Sequence, residues 1–252
     1  MMDAGRLLVV SPHLDDAVLS CWALLARATP VDVLTVFAGA PDPPVRRAWD
    51  MRMGFGDSAE SIRARLAEDA EAFAGTGHRR SHMALLDVQY LDGRRGPRDA
   101  EALAARLREW MSDGAGCIAV PAGAGRLCRG PVERIRRATT RVSRGYVHPD
   151  HVFVRQVALE TVPPDPAIEL LAYEEIPYTW AGSSYARLSS VARAAGRALI
   201  PLGLPVDRAM KARRIRAYRS QAAALLVEGR RVDDPDALPA QERYWRLPPV
   251  GR

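Results

Sequence analysis

Ser11-Pro12-His13-Leu14-Asp15-Asp16 places an imidazole and two adjacent carboxylates directly after the apolar run Leu7 to Val10. His13 and Asp16, three positions apart, can converge on one point while Asp15 points elsewhere. That pattern supplies two metal ligands and a separate carboxylate to act as a base on water. A plainer reading is that Asp15 or Asp16 caps a helix beginning near Ala17. The second cluster is Tyr146-Val147-His148-Pro149-Asp150-His151, two histidines three apart with an acid between them. It could add a third ligand and a charged partner, or be a polar helix start with Pro149 in the first turn. The chain has five histidines, at 13, 78, 82, 148 and 151, and three of the five lie in these two clusters. A joint site of histidines and aspartate accounts for that better than two unrelated caps. His78 and His82 flank Arg79 and Arg80 in a polar connection and receive no role. There is no G-x-S-x-G elbow, complete G-x-G-x-x-G, Walker A loop or C-x-x-C. Cys21 and Cys117 sit among apolar residues, as core positions do.

The surrounding pattern shows what must position these groups. Leu7 to Val10 reads as a strand buried on both faces, Ala17 to Arg27 as a helix and Val31 to Phe37 as a β-branched strand. A Gly/Pro-rich loop from Ala38 to Asp57 precedes a helix over Ser58 to Phe73, for which Ser58 and Ser61 offer N-caps. Met83 to Leu86 reads as a third strand, Arg98 to Met111 as a helix and Cys117 to Val120 as a fourth strand. Further on, helices are expected over His148 to Thr161, Leu188 to Leu199 and Val206 to Glu228, with a strand over Ile168 to Tyr173. This alternation predicts an α/β fold, a Rossmann-like three-layer sandwich with a mainly parallel sheet. Ligands bind beyond the carboxyl ends of such strands, where SPHLDD and Pro121-Ala-Gly-Ala-Gly125 both fall. No repeat or linker divides residues 1–252, so a single domain is expected.

The composition excludes several classes. The chain has 252 residues, 48% of them hydrophobic, enough for a substantial core. No apolar run approaches the roughly 20 residues that cross a bilayer, and the first residues do not resemble a signal peptide. Three scattered cysteines suggest no disulfide framework. A cytoplasmic protein is expected. The net charge is +6, from 36 basic and 30 acidic residues, and Lys211 is the single lysine. Arg126, Arg129, Arg134, Arg136, Arg137, Arg141 and Arg144, against Glu133 alone, hold the entire surplus. The rest of the surface is balanced, and a nucleic-acid partner is not expected.

SPHLDD after the first strand, with HPDH far downstream, resembles the PIG-L (LmbE-like) family of metal-dependent N-deacetylases. The similarity extends over nearly the whole chain: Arg65-Leu-Ala-Glu68-Asp69 resembles the family's R-x-x-E helix, and Lys211 to Gln221 its K…Y-x-S-Q segment. The resemblance implies zinc ligands at His13, Asp16 and His151, with Asp15 as general base. It implies that His148 stabilises the transition state or protonates the leaving amine, that Asp150 orients His148, and that Tyr146 polarises the scissile carbonyl. Arg65 is carried over as substrate-binding. Two nitrogens and one carboxylate suit Zn2+ and leave Fe2+ open.

The chain departs from the family pattern in one place. About twenty residues, the arginine-rich stretch at about 126–147, separate the glycine-rich loop from the second histidine motif. Pro131 to Val142 has helical spacing, and Arg134, Arg137 and Arg141 share one face. Arginines on a helix are usually just solvated, but an insertion ending at HPDH should border the site, where they would favour an anionic substrate group. The expectation is therefore a zinc-dependent N-deacetylase for an N-acetylglucosamine-type amino sugar or glycoconjugate. Bacterial cofactor or specialised-metabolite biosynthesis, including antibiotic biosynthesis, is its expected setting. An amidase for a larger acyl or thiol conjugate stays open, as do a binder of anionic polymers and assembly as a homo-oligomer.

Overall fold

The computed structural model describes residues 5–27, 30–93, 95–123, 147–165, 167–181, 185–227 and 229–250. A seven-stranded sheet organises them, in the order β3 (Arg79–His82), β2 (Asp32–Thr35), β1 (Leu7–Ser11), β4 (Gly116–Pro121), β5 (Ile168–Tyr173), β9 (Gln241–Arg246), β6 (Ile200–Pro205). β3 to β5 are parallel; β9 runs antiparallel to both β5 and β6. The mainly parallel α/β sandwich expected from the alternation is thus observed. Alternation along β1 feeds two cores. Leu7 and Val9 pack under α1 (Asp16–Leu25) and α7 (Arg208–Ile215) on one face, whereas Leu8 and Val10 pack under α4 (Pro97–Ser112) and α5 (Pro149–Thr161) on the other. The chain leaves β1 towards β2 on one side and reaches β4 on the other. That reversal opens a crevice at the carboxyl ends of β1 and β4. Among the described residues, no helix is long and apolar enough to cross a membrane.

Several elements differ from expectation. The third strand is the polar Arg79–His82, not Met83 to Leu86. It is an edge strand, so ion pairs serve where apolar burial is not required: Arg79 to Asp32 at 2.6 Å and Arg80 to Asp69 at 2.6 Å. The loop after β2 contains the short helix α2 (Ala48–Arg52). The cap of α3 (Ser58–Ala72) is Asp57, whose carboxylate accepts the Glu60 N–H, rather than Ser58 or Ser61. The helix expected at Leu188 ends at Ala194 within α6 (Tyr185–Ala194), and β6 follows. Its prolines and glycine hide a strand signal that an edge position tolerates. The long helix expected over Val206 to Glu228 is broken into α7 and α8 (Arg219–Ala222). Carboxylates of α3 hold the break. Asp69 takes the Tyr218 hydroxyl at 3.0 Å, and Glu68 takes the Ser220 N–H at 2.8 Å and its hydroxyl at 2.6 Å. The remaining strands β7 (Leu226–Val227) and β8 (Arg230–Arg231) form a small hairpin. The helix expected over Pro131 to Val142 lies outside the described residues.

α1 carries the first motif, and a buried ion pair shapes it. Its dihedrals break at Cys21 (φ −129°, ψ 22°), freeing the next amides from the helical ladder. Glu242 of β9 accepts them, Trp22 N–H at 3.0 Å and Ala23 N–H at 2.8 Å. The same carboxylate binds Lys211 Nζ at 2.6 Å and the Tyr244 hydroxyl at 2.5 Å. Lys211 is wholly buried, a place for a compact ammonium rather than a planar guanidinium. Replacing Glu242 by Leu strands the lysine charge and two amides, and should lower stability to urea by about 3–5 kcal/mol. Lys211→Met should cost less, because three donors still satisfy Glu242. The order of the two unfolding midpoints checks the assignment.

Candidate metal centre

The first motif turns from β1 into α1 around Ser11. Its hydroxyl donates to the His13 carbonyl at 2.6 Å and accepts the Ala17 N–H at 3.0 Å. Asp15, at the cap position, makes no side-chain cap bond, so the capping alternative for it is not realised. Asp16 Oδ2 instead accepts the His13 N–H at 2.9 Å. The second motif begins α5, with His148 as its cap: Nδ1 accepts the Asp150 N–H at 3.3 Å. The two motifs meet at the crevice. Ring centroids of His13, His148 and His151 lie 4.8, 5.0 and 5.4 Å apart.

His13 Nδ1 lies 3.2 Å and His151 Nε2 3.3 Å from the same oxygen, Asp16 Oδ2. The far nitrogen of each ring meets a buried carboxylate, His13 Nε2 with Asp150 Oδ2 at 3.2 Å and His151 Nδ1 with Glu175 Oε1 at 3.2 Å. Those contacts commit the far nitrogens, so Asp16 Oδ2 is left facing the near nitrogen of each ring. His151 Nε2 is buried and has no hydrogen-bond partner. Such an arrangement requires positive charge, carried by protons on the two near nitrogens or by a cation in their place. Both distances to Asp16 suit a cation, since bonds of about 2.0–2.1 Å to tetrahedral zinc put ligand atoms about 3.3–3.4 Å apart, and His148 joins His13 and His151 in a group whose ligand atoms lie within 4.8 Å of one another. The residues therefore fit a divalent cation held by His13, Asp16 and His151, each histidine backed by a carboxylate.

The electrostatics agree. Burial disfavours the His13 imidazolium, but bonds to Asp150 and Asp16 and the charge of Asp87 outweigh it and raise its pKa well above the usual value. His151 is likewise raised, to about 9, by Asp16 and Glu175 against its burial. Burial would raise Asp16, yet His151 and His13 hold it well below the carboxylate range. Asp15 moves the other way, lifted by burial and by the charge of Asp16 against the opposing Arg65, whose Nη2 is 3.6 Å away. Burial, then the charges of His13 and His151, lower His148 to about 2. Its ring is neutral, and because Nδ1 accepts the cap bond, Nε2 carries the proton.

A cavity of about 490 Å3 opens above these groups. Its lining includes the polar His13, Asp15, Asp16, Arg65, Asp87 and His148 and the apolar or aromatic Leu19, Trp49, Ile176, Pro177, Tyr178 and Leu225. Gln221 accepts the Trp49 indole N–H at 3.1 Å and fixes its ring. The structure thus brings together His13, Asp15, Asp16, Arg65, His148, Asp150 and His151. It differs over Asp150: that carboxylate is taken up by His13, the Val88 N–H at 3.0 Å and Arg95, rather than serving to orient His148. The reason is positional, since Asp150 follows the cap and faces inward. Tyr146, Arg134, Arg137 and Arg141 lie outside the described residues. Glu175, Asp87 and Tyr178 were missed. Glu175 follows β5 as the aspartates follow β1, and that placement was a usable signal. Gly123 (φ +54°) lets the loop after β4 pass α5, where a Cβ would meet the His151 carbonyl oxygen at 3.1 Å, and its N–H donates to Glu175 at 2.7 Å.

No family model and no curated protein sequence matches the chain. Solved structures do. The chain covers 97% of its length and 98% of a deacetylase from the teicoplanin biosynthesis pathway, at 23% identity and TM-score 0.72. The zinc-inhibited form of teicoplanin deacetylase Orf2 gives 97% and 98% coverage, 24% identity and TM-score 0.71. The A40926 pseudoaglycone deacetylase Dbv21 gives 99% and 100% coverage, 24% identity and TM-score 0.71. The chain shares the fold of these deacetylase structures over nearly its whole length.

Two outcomes test the centre. Zinc binding should release more than one proton near pH 7, because His13 and His151 hold protons below their raised pKa values. Affinity should therefore fall as pH drops below about 9; calorimetry in buffers of different ionisation enthalpy measures it. Glu175→Gln should weaken zinc binding about 10–100-fold in a chelator competition, with the fold intact by circular dichroism.

Proposed function

We propose that this protein is a metal-dependent N-deacetylase that removes acetyl from the amide nitrogen of an N-acetyl amino sugar, carried on a glycoconjugate of antibiotic biosynthesis. The observation that carries the reading is the set of three atoms at His13, Asp16 and His151, with the basic Asp15 beside it on a cavity floor. Structures of the same fold that act on teicoplanin-type antibiotics support the substrate class. Two nitrogens and a carboxylate favour zinc, with ferrous iron next. When bound, the cation supplies Lewis acidity, which lowers the pKa of water from about 15.7 towards about 7.

The residues divide the remaining work. Asp15, raised in pKa and held ionised by Arg65, takes the proton from the attacking water and returns it to the departing nitrogen. The cap bond leaves His148 with an Nε2–H, which suits it to donate to the developing oxyanion, the first of its two expected roles. Arg65 and Asp87, facing the cavity with opposite charge, suit the polar edge of a sugar, and the fixed Trp49 ring offers a face against which it can lie. The apolar flank of Leu19, Ile176, Pro177 and Leu225 has room for an acyl group larger than acetyl, which keeps the amidase reading in view.

The deciding measurement is acid release by the zinc-loaded protein from N-acyl amino sugars and glycopeptide pseudoaglycones of graded acyl length. Acetate from an N-acetyl sugar supports the reading; release of only longer acids replaces it with the amidase. Asp15→Asn should keep its zinc and lose at least about 100-fold in kcat. Loss of zinc instead would transfer the ligand role to Asp15.

A further inference from the structure

The histidine ligands are backed in different ways. Glu175, behind His151, has one oxygen without a hydrogen-bond partner. Asp150, behind His13, is met by a cation: Arg95 Nη2 lies 2.5 Å from Asp150 Oδ1. Arg95 belongs to none of the motifs, yet it is tightly constrained. Its side chain is buried, donates to the Leu86 carbonyl at 2.8 Å and pairs with Asp99 at 2.9 Å. Its guanidinium lies 4.0 Å from the Phe37 ring centroid and 5.0 Å from that of Phe153. Phe37 follows β2 and Phe153 belongs to α5, so the aromatic contacts come from both sides of the crevice.

The geometry points to Arg95 as a positioning residue for the metal centre: with Asp150 it forms a relay, guanidinium to carboxylate to His13 Nε2, that aims His13 Nδ1 at Asp16. This rests on the metal-site reading above and adds a residue to it. Three features argue for orientation rather than simple neutralisation. A guanidinium fixed by two rings and a backbone carbonyl has little freedom to follow a moving partner. Asp150 is held from a second direction by the Val88 N–H at 3.0 Å, so its Oδ2 is locked towards His13. The Leu86 carbonyl and Val88 amide flank Asp87, which lines the cavity, so the same relay ties the cavity wall to the ligand. Outer partners of ligating histidines typically govern metal affinity by 10–100-fold.

The test reads metal and not turnover. Zinc affinity of Arg95→Met, Arg95→Lys and Asp99→Asn is measured by competition with a chromophoric chelator, and the visible spectrum of each cobalt(II) form reports ligand geometry. Arg95→Met should bind zinc about 10–100-fold more weakly, with an altered cobalt band. Arg95→Lys should recover part of the loss, and Asp99→Asn should match the wild type in both readouts. Wild-type zinc affinity and cobalt spectrum in Arg95→Met, even with a lowered unfolding midpoint, would reduce Arg95 to a packing residue and overturn the proposal. If Arg95→Met does not fold, Arg95→Gln carries the same test, and wild-type affinity and cobalt spectrum there also overturn it. A wild-type chain that binds no divalent cation overturns the metal site itself. A relay confirmed in a protein that deacetylates none of the sugars fails the functional reading alone.

Discussion

Two imidazole nitrogens facing a single carboxylate oxygen, His13 Nδ1 and His151 Nε2 at 3.2 and 3.3 Å from Asp16 Oδ2, form a contact that burial tolerates only with positive charge, on the rings or on a cation in place of their protons. Much of the surrounding structure makes that contact unavoidable. Asp150 and Glu175 hold the far edges of the rings, Ser11 sets the turn that presents His13 and Asp16, and Gly123 lets the β4 loop approach His151 closely. Each removes a way for the three atoms to relax apart. The centre is thus preorganised for a cation, and the anionic surroundings that raise both histidine pKa values are the field a divalent ion would experience.

The sheet supplies the remaining constraint. Strand order reverses between β1 and β4, so the loops after these strands diverge and leave a crevice. Residues 137 positions apart, His13 and Asp150, become neighbours there. α1 must enter the crevice at a fixed angle, and its break at Cys21, with both loosened amides held by Glu242, fixes the half of the helix that carries Asp16. The lysine behind Glu242 lies far from the cavity chemistry, yet it supports the element from which that chemistry projects.

The cavity combines two characters. Part of its lining is ionised and hydrogen-bonding, the rest aromatic and aliphatic. That division suits a ligand with a polar ring and an apolar attachment better than a small, uniformly polar sugar. It also explains why Arg65, Glu68 and Asp69, adjacent turns of α3, have separate duties. Arg65 reaches Asp15, while Glu68 and Asp69 hold Ser220 and Tyr218 at the break between α7 and α8. Through that break Gln221 comes to Trp49, so one helix supports both Asp15 and the Trp49 ring.

What could be read from the sequence was local. Leu7 to Val10 and Ile168 to Tyr173 were legible as strands because burial on both faces demands mainly apolar runs, interrupted only by Glu169 in the second. SPHLDD and HPDH were legible because ligand chemistry restricts residue type and short spacing. Edge strands were not: β3 is stabilised by ion pairs and β6 contains prolines, so neither bears the apolar mark of a buried strand. Nor were the supporting carboxylates, since an acid gains meaning only from what it faces. Asp150 stands two residues from His148 in sequence, but packing turned it to His13 and Arg95. Glu175 and Arg95 belong to no motif, because their roles arise from distances between strands and helices. Residue types and short spacings determined which groups could do chemistry. Only the folded sheet decided which of them meet, because hydrogen-bond partners across a crevice are set by strand order and helix angle.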